Sequence, residues 1–191
     1  GCSSGLTMLQ IAPKVGMYYG TDLSSAILVN TEKSVKEKGY NNIILSCLPA
    51  HEIDQLEEKD FDIVIINSVT QTFNGQNYLR DVLVKVISKI KDEGILFIGD
   101  IMDEDKREAL IEDLTEFKGL HSEKEYRTKT DWSSELFISR DYFNDLIADN
   151  IGIVEANYSN KIYTISNELT RYRYDAFLHI NKQFEHQKRE K

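Results

Sequence analysis

The sequence has little cysteine and little proline, two of each in 191 residues. Cys2 and Cys47 alone cannot build a disulfide framework or a cysteine-rich zinc site. Their rarity fits a reducing, cytoplasmic setting. Two prolines and ten glycines exclude a collagen-like or low-complexity chain. No apolar run reaches the roughly eighteen residues of a membrane-spanning helix, and the first residues lack the basic-then-apolar pattern of a secretory leader. No membrane partner is therefore expected. A Gly-Lys-Ser/Thr phosphate loop is missing, which argues against an NTPase. His51, His121, His179 and His186 show no metal-ligand spacing, so no metal site is expected. Basic residues are also in deficit, 23 against 32 acidic, for a net charge of −9. That excludes a broad phosphate-binding surface, and no nucleic acid partner is expected. A neutral or cationic small ligand suits such a chain better.

What is present is enough apolar residue, 41%, to bury a core of one domain's size. Residues 1–181 read as that domain and 182–191 as a charged, fraying tail. Short β-rich runs alternate with longer helical patterns. Residues 17–21 read as a strand ending at Asp22, residues 24–38 as a helix, and Ile43 to Ser46 as a second strand. Phe61 to Asn67 is an apolar run of the kind buried on both faces. Leu79, Val82, Leu83, Val86, Ile87 and Ile90 repeat at helical spacing over 77–90, with Gly94 read as the stop signal just beyond. Ile95 to Ile98 reads as the next strand, and 104–118 as another helix.

This alternation predicts an α/β fold, a doubly wound Rossmann-like sheet that is mostly parallel. Ligands bind beyond the carboxyl ends of such strands, so Asp22, Asn67 and Asp100 are expected on one rim. After residue 120 the pattern changes. His121 to Ser134 reads as a loop or short helix and Arg140 to Asp149 as a helix. Strand-like alternation over 151–158, 161–166 and 172–180 predicts an antiparallel C-terminal edge. The glycine turn at Gly1 to Gly5 has no strand ahead of it, so the first strand of the sheet is expected to lie outside this sequence, in a larger chain.

The turn Gly1-Cys2-Ser3-Ser4-Gly5-Leu6 departs from a dinucleotide fingerprint, which needs glycine where Ser3 and Leu6 stand. It is either an ordinary tight turn or a place where a ligand lies against the backbone. Seventeen residues on, Asp22 is either a ribose acceptor or a helix N-cap. Together, turn and strand-end acid favour an adenosine-containing ligand.

Four stretches carry a family resemblance: Tyr18-Tyr19-Gly20-Thr21-Asp22-Leu23-Ser24, Phe61 to Phe73, Gly94 to Asp100, and Asn167-Glu168-Leu169-Thr170-Arg171-Tyr172-Arg173-Tyr174-Asp175. On these, nearly the whole chain resembles the class I S-adenosylmethionine-dependent methyltransferases. The last stretch makes it similar to the methyltransferase domains embedded in nonribosomal peptide synthetases. The resemblance implies S-adenosylmethionine as cofactor, held by Gly1, Ser3, Gly5, Asp22, Leu23, Ala50, His51, Asn67 and Ser68. Ser3 replaces the family's middle glycine, and His51 stands where an acidic residue usually accepts from adenine, a role that Glu52 can also fill.

Gln71 and Glu168 are the implied catalytic residues, facing the acceptor. Their plainer readings are a helix-cap neighbour and an ion pair with Arg171 or Arg173. Asn67 and Ser68 have a plainer reading as turn formers, and Asp100 as a helix cap. Asp131-Trp132-Ser133-Ser134 reads as a lid or a packed anchor. The implied reaction is methyl transfer to the α-amine of an aminoacyl thioester on a carrier domain, with neighbouring synthetase domains as partners. Relatives that methylate carbon place histidine where Gln71 stands. Carbon or oxygen methylation and a non-catalytic cofactor-binding spacer are the alternatives.

Overall fold

The computed structural model describes residues 1–121, 135–161 and 164–184. The chain forms two compact units, Gly1–Glu57 and Glu58–Lys191. In the first, β1 (Tyr18–Asp22) and β2 (Ile43–Cys47) pair in parallel, with Tyr18 opposite Ile43 and Asp22 opposite Cys47. A short α1 (Leu6–Ile11) precedes them, and α2 (Ser25–Glu37) connects them as a crossover must. Ser24 caps α2 by accepting the Ile27 N–H, and Leu28, Thr31 and Val35 form its buried stripe at helical spacing.

In the second unit, β3 (Phe61–Asn67) pairs in parallel with β4 (Ile90–Asp103). The helix α3 (Gln76–Lys89) links them and buries Leu79, Val82, Leu83, Val86 and Ile87. After β4 come α4 (Arg107–Leu120), the short β5 (Phe137–Ile138), which pairs in parallel with β4, and α5 (Arg140–Ala148). Then β6 (Ile153–Asn160), α6 (Glu168–Arg171) and β7 (Arg173–Asn181) follow. The strand order is β3-β4-β7-β6, and β7 runs antiparallel to both neighbours. The expected α/β fold with an antiparallel edge is observed. Leu96, Ile98, Ile101 and Met102 of β4 and Tyr174 and Leu178 of β7 lie at the centre of the core.

Three expectations need correction. Gly94 does not stop α3: that helix ends at Lys89, β4 begins at once with Ile90, and Gly94 lies inside the strand. A Cβ there would stand 2.8 Å from the Asp62 carbonyl, so glycine serves a close strand approach. β3 is not buried on both faces, and Ile63 is 56% exposed. Among the described residues β3 pairs with β4 alone, which leaves it an edge strand. Lys161 and residues 164–166 form no strand; residues 162–163 lie outside the described residues. So do residues 122–134, including the Asp131 to Ser134 segment, and 185–191 of the charged tail. Among the described residues no helix is long and apolar enough to cross a membrane.

Candidate functional site

In the first unit the site residues gather around Asp22, the last residue of β1. Its Oδ2 accepts the Ser3 N–H and its Oδ1 the Ser24 N–H, both at 2.9 Å. Asp22 is 7% exposed, and Ser24 rather than Asp22 is the cap of α2. The carboxylate therefore braces the glycine turn against the start of the helix. Each oxygen keeps acceptor capacity beyond its one backbone donor.

Ser3 adopts a left-handed φ of +48°, and Gly5 one of +79° where α1 begins. The Cys2 N–H donates to the Thr21 carbonyl, which ties the turn to β1. The buried Thr31 hydroxyl lies 2.8 Å from the Ser3 carbonyl and holds the turn from α2. Leu23 leaves 76% of its surface exposed directly beside Asp22. The Leu48 N–H donates to the Asp22 carbonyl, so the segment leaving β2 is latched to the same corner. Ala50 and His51 open the 3-10 segment that follows (Ala50–Gln55), which is kinked at Glu52. His51 Nε2 lies 3.6 Å from Glu52 Oε1.

In the second unit the site residues gather around Asp100. Ser68 follows Asn67 at the end of β3 and has a φ of +56°; Asp100 has a φ of +67°. Two non-glycine residues in the left-handed region, one just past the end of β3 and one inside β4, mark a locally costly rim. Side-chain contacts hold it. The Ser68 hydroxyl donates to Asp100 Oδ2 at 2.8 Å, and the Ser68 N–H donates to the Gly99 carbonyl. Arg173 Nη1 donates to the same Asp100 oxygen at 2.9 Å, and Lys161 lies 3.5 Å from Oδ1. Asp175 accepts both the Asp100 N–H, at 2.8 Å, and Lys161. A Cβ at Gly99 would stand 2.1 Å from Asn67 Oδ1, so a larger residue there would force the Asn67 side chain to move.

Gln71 lies in a 3-10 turn (Thr70–Thr72) and is 9% exposed. Its Nε2 donates to the Ser68 carbonyl at 3.0 Å. Its Oε1 is buried without a hydrogen-bond partner among the described residues. A buried acceptor left open needs an explanation, and a ligand N–H is one.

Glu168 accepts from Arg173 Nη2 at 2.7 Å, so its expected ion pair exists, with Arg173 rather than Arg171. Burial alone would lower the Arg173 pKa, but the Glu168 and Asp100 carboxylates outweigh it and hold that pKa above its ordinary value. Asp100 does not cap the helix after β4; Asp103 does that by accepting the Asp105 N–H.

The stretch from Asn167 to Asp175 now has a physical reading. Asn167 and Thr170 cap α6 reciprocally. Glu168 and Arg173 close across the helix, Arg171 and Tyr172 reach Asp113, and Tyr174 donates to the Ile138 carbonyl. Sequence reasoning missed Thr31, Lys161 and Asp175, and saw Arg173 only as a partner for Glu168. No local signal in the sequence marks the Asp100 cluster, which depends on how β7 pairs with β4. Among the described residues no group of three His, Cys, Asp or Glu side chains could hold a metal ion.

Known proteins resemble this chain in sequence and fold. A family described as a methyltransferase domain matches residues 1–168. A probable non-canonical nonribosomal peptide synthetase of Salinispora arenicola, CymA, is 34% identical over 94% of this chain, which spans 2% of that protein. The chondramide synthase of Chondromyces crocatus is 29% identical over 94% of the chain and 5% of its own length. The chain thus covers a small part of these relatives. Among solved structures, an S-adenosylmethionine-dependent methyltransferase from Methanosarcina mazei superposes with a TM-score of 0.66 at 15% identity, covering 95% of this chain and 89% of that one. The magnesium protoporphyrin IX methyltransferase of Synechocystis, solved with bound SAH, gives 0.60 at 16% identity, over 95% and 71%. The chain belongs to the methyltransferase domain family, with the fold of the class I S-adenosylmethionine-dependent enzymes and with sequence kinship to parts of nonribosomal peptide synthetases.

Proposed function

We propose that this chain transfers the methyl group of S-adenosylmethionine to the α-amine of an aminoacyl thioester carried by a neighbouring domain of a peptide synthetase. The observation that carries the choice of a nitrogen acceptor is Gln71. Its buried, open Oε1 is a neutral hydrogen-bond acceptor, suited to orienting an amine N–H. Carbon methylation instead needs a base strong enough to remove a carbon-bound proton. An α-amine has an ordinary pKa of about 7.7–8.0, so a neutral, nucleophilic fraction exists near neutral pH without one.

Bound S-adenosylmethionine supplies a methyl group already activated on a sulfonium. The protein's part is then alignment and exclusion of water. Asp22 offers its remaining lone pairs to the ribose hydroxyls, and the Gly1, Ser3 and Gly5 turn that it braces meets the methionine end. The exposed Leu23 gives the adenine an apolar face, and Ala50 and His51 border it. In the second unit Gln71 meets the acceptor. Glu168, held by Arg173, is the second residue placed toward the acceptor, and the methylated amine releases its proton to water.

The test is transfer of labelled methyl from S-adenosylmethionine to N-acetylcysteamine thioesters of the apolar amino acids, with the methyl located by tandem mass spectrometry. N-methylation is expected; a methyl on carbon or oxygen, or no transfer, overturns the reading. Gln71→Ala should slow transfer by roughly 10- to 100-fold, the scale of lost alignment, and leave cofactor affinity nearly intact.

A further inference from the structure

We propose that Arg173 is a positioning residue for methyl transfer, gripping Asp100 and Glu168 together so that Ser68 and, through it, the Gln71 amide are held in place. The inference rests on the reading that Gln71 orients the acceptor. The contacts form one continuous chain. Arg173 Nη2 binds Glu168 at 2.7 Å and Nη1 binds Asp100 Oδ2 at 2.9 Å. The same Oδ2 accepts the Ser68 hydroxyl at 2.8 Å. The Ser68 carbonyl in turn accepts from Gln71 Nε2 at 3.0 Å, which leaves Gln71 Oε1 as the open acceptor.

Three features argue that this chain positions rather than merely stabilises. First, Ser68 and Asp100 both occupy the left-handed region without being glycine. Such conformations persist where the surroundings over-determine them, and here Arg173, Lys161 and Asp175 all converge on Asp100. Second, Arg173 Nε is buried without a hydrogen-bond partner among the described residues. The guanidinium is therefore placed for two separate carboxylates at the expense of a donor left unpaired. Third, the arrangement needs a planar fork. A lysine ammonium carries the same charge but cannot fix two acceptors in one plane.

Arg173→Lys keeps the charge and separates the two roles. Its melting temperature and cofactor dissociation constant should stay near wild type. Its kcat on the thioester that the wild type methylates fastest should fall by roughly 10- to 100-fold, as a displacement near 1 Å at the reacting centre can cause. Asp100→Asn keeps shape and tolerates a left-handed φ. It should lower kcat in the same way and serves if Arg173→Lys does not fold.

Both are then measured in a Gln71→Ala background, where neither should slow transfer further. Wild-type kcat in the folded Arg173→Lys and Asp100→Asn proteins overturns the inference, as does an undiminished effect in the Gln71→Ala background. If Gln71→Ala alone leaves transfer unchanged, or the wild type transfers no methyl, the reading beneath falls and this inference falls with it.

Discussion

Asp22 and Asp100 invite comparison. Both are aspartates at or near the carboxyl end of a strand in a parallel pair, and both are less than a tenth exposed, 7% and 9%. Yet they are held in opposite ways. Asp22 takes both its hydrogen bonds from backbone N–H groups, those of Ser3 and Ser24. Asp100 is held by side chains, those of Ser68, Arg173 and Lys161. Backbone donors organise a turn without cancelling the carboxylate's charge, so the group stays a strong acceptor for hydroxyls. Cationic side chains do cancel it and tie the rim to residues far along the chain. One corner keeps acceptor capacity to spare; the other is tied to its neighbours.

The largest effect should come from breaking the second corner. Asp100→Ala removes the common partner of Arg173 and Lys161, leaving each with one remaining carboxylate, Glu168 and Asp175. It also puts alanine at a φ of +67°. A loss of about 3 kcal/mol of unfolding free energy is expected, the low end for opening a buried ion pair. Urea denaturation measures it. A loss no larger than that of a surface pair, under about 1 kcal/mol, would show that the cluster is solvated and does not stiffen the rim.

The first corner should respond in affinity. Asp22→Ala removes a carboxylate whose charge-assisted hydrogen bonds are worth about 1.5–3 kcal/mol. S-adenosylmethionine binding, followed by calorimetry, should weaken by roughly 10- to 150-fold. An unchanged dissociation constant removes the ribose role and with it the contrast between the two corners.

The same contrast explains what could be read from the sequence. The Asp22 corner was legible because its parts are close together. A glycine turn, a strand and an acid lie within twenty-two residues, and the donors to Asp22 come from the turn and from the residue two places on. The strands and helices that carry the site were legible for the same reason, since alternation and helical spacing are local signals.

The Asp100 cluster was not legible. Arg173 and Asp175 approach Asp100 only because β7 pairs antiparallel with β4. The pairing is irregular between Ile98 and Ile101, so Asp100 has no ladder partner and its N–H turns to the Asp175 carboxylate. A register shift of that kind depends on how the strands pack, and no local residue pattern announces it. Gly94 was misread by the mirror-image failure. Glycine after a helical stripe signals a stop, and here the close approach of two strands used the same residue.

The smallest expected effect sharpens the claim that the carboxylate, and not the packing around it, organises the first corner. Thr31 is 1% exposed, and its hydroxyl donates to the Ser3 carbonyl from the buried face of α2. Valine has nearly the same shape, so Thr31→Val removes the hydroxyl without opening a cavity. The Ile27 carbonyl, 3.0 Å away, shares that hydroxyl but already accepts within the helix, so the loss falls on Ser3. Unfolding should become easier by about 0.5–1.5 kcal/mol, the net worth of one neutral hydrogen bond. Cofactor affinity should fall by less than in Asp22→Ala, because Asp22 still holds the Ser3 N–H and the residue keeps its left-handed φ of +48°. An affinity loss in Thr31→Val equal to that of Asp22→Ala would mean that the turn is held from the helix. Asp22 would then be a passenger in its own corner, and the difference between the two aspartates would be one of neighbours rather than of design.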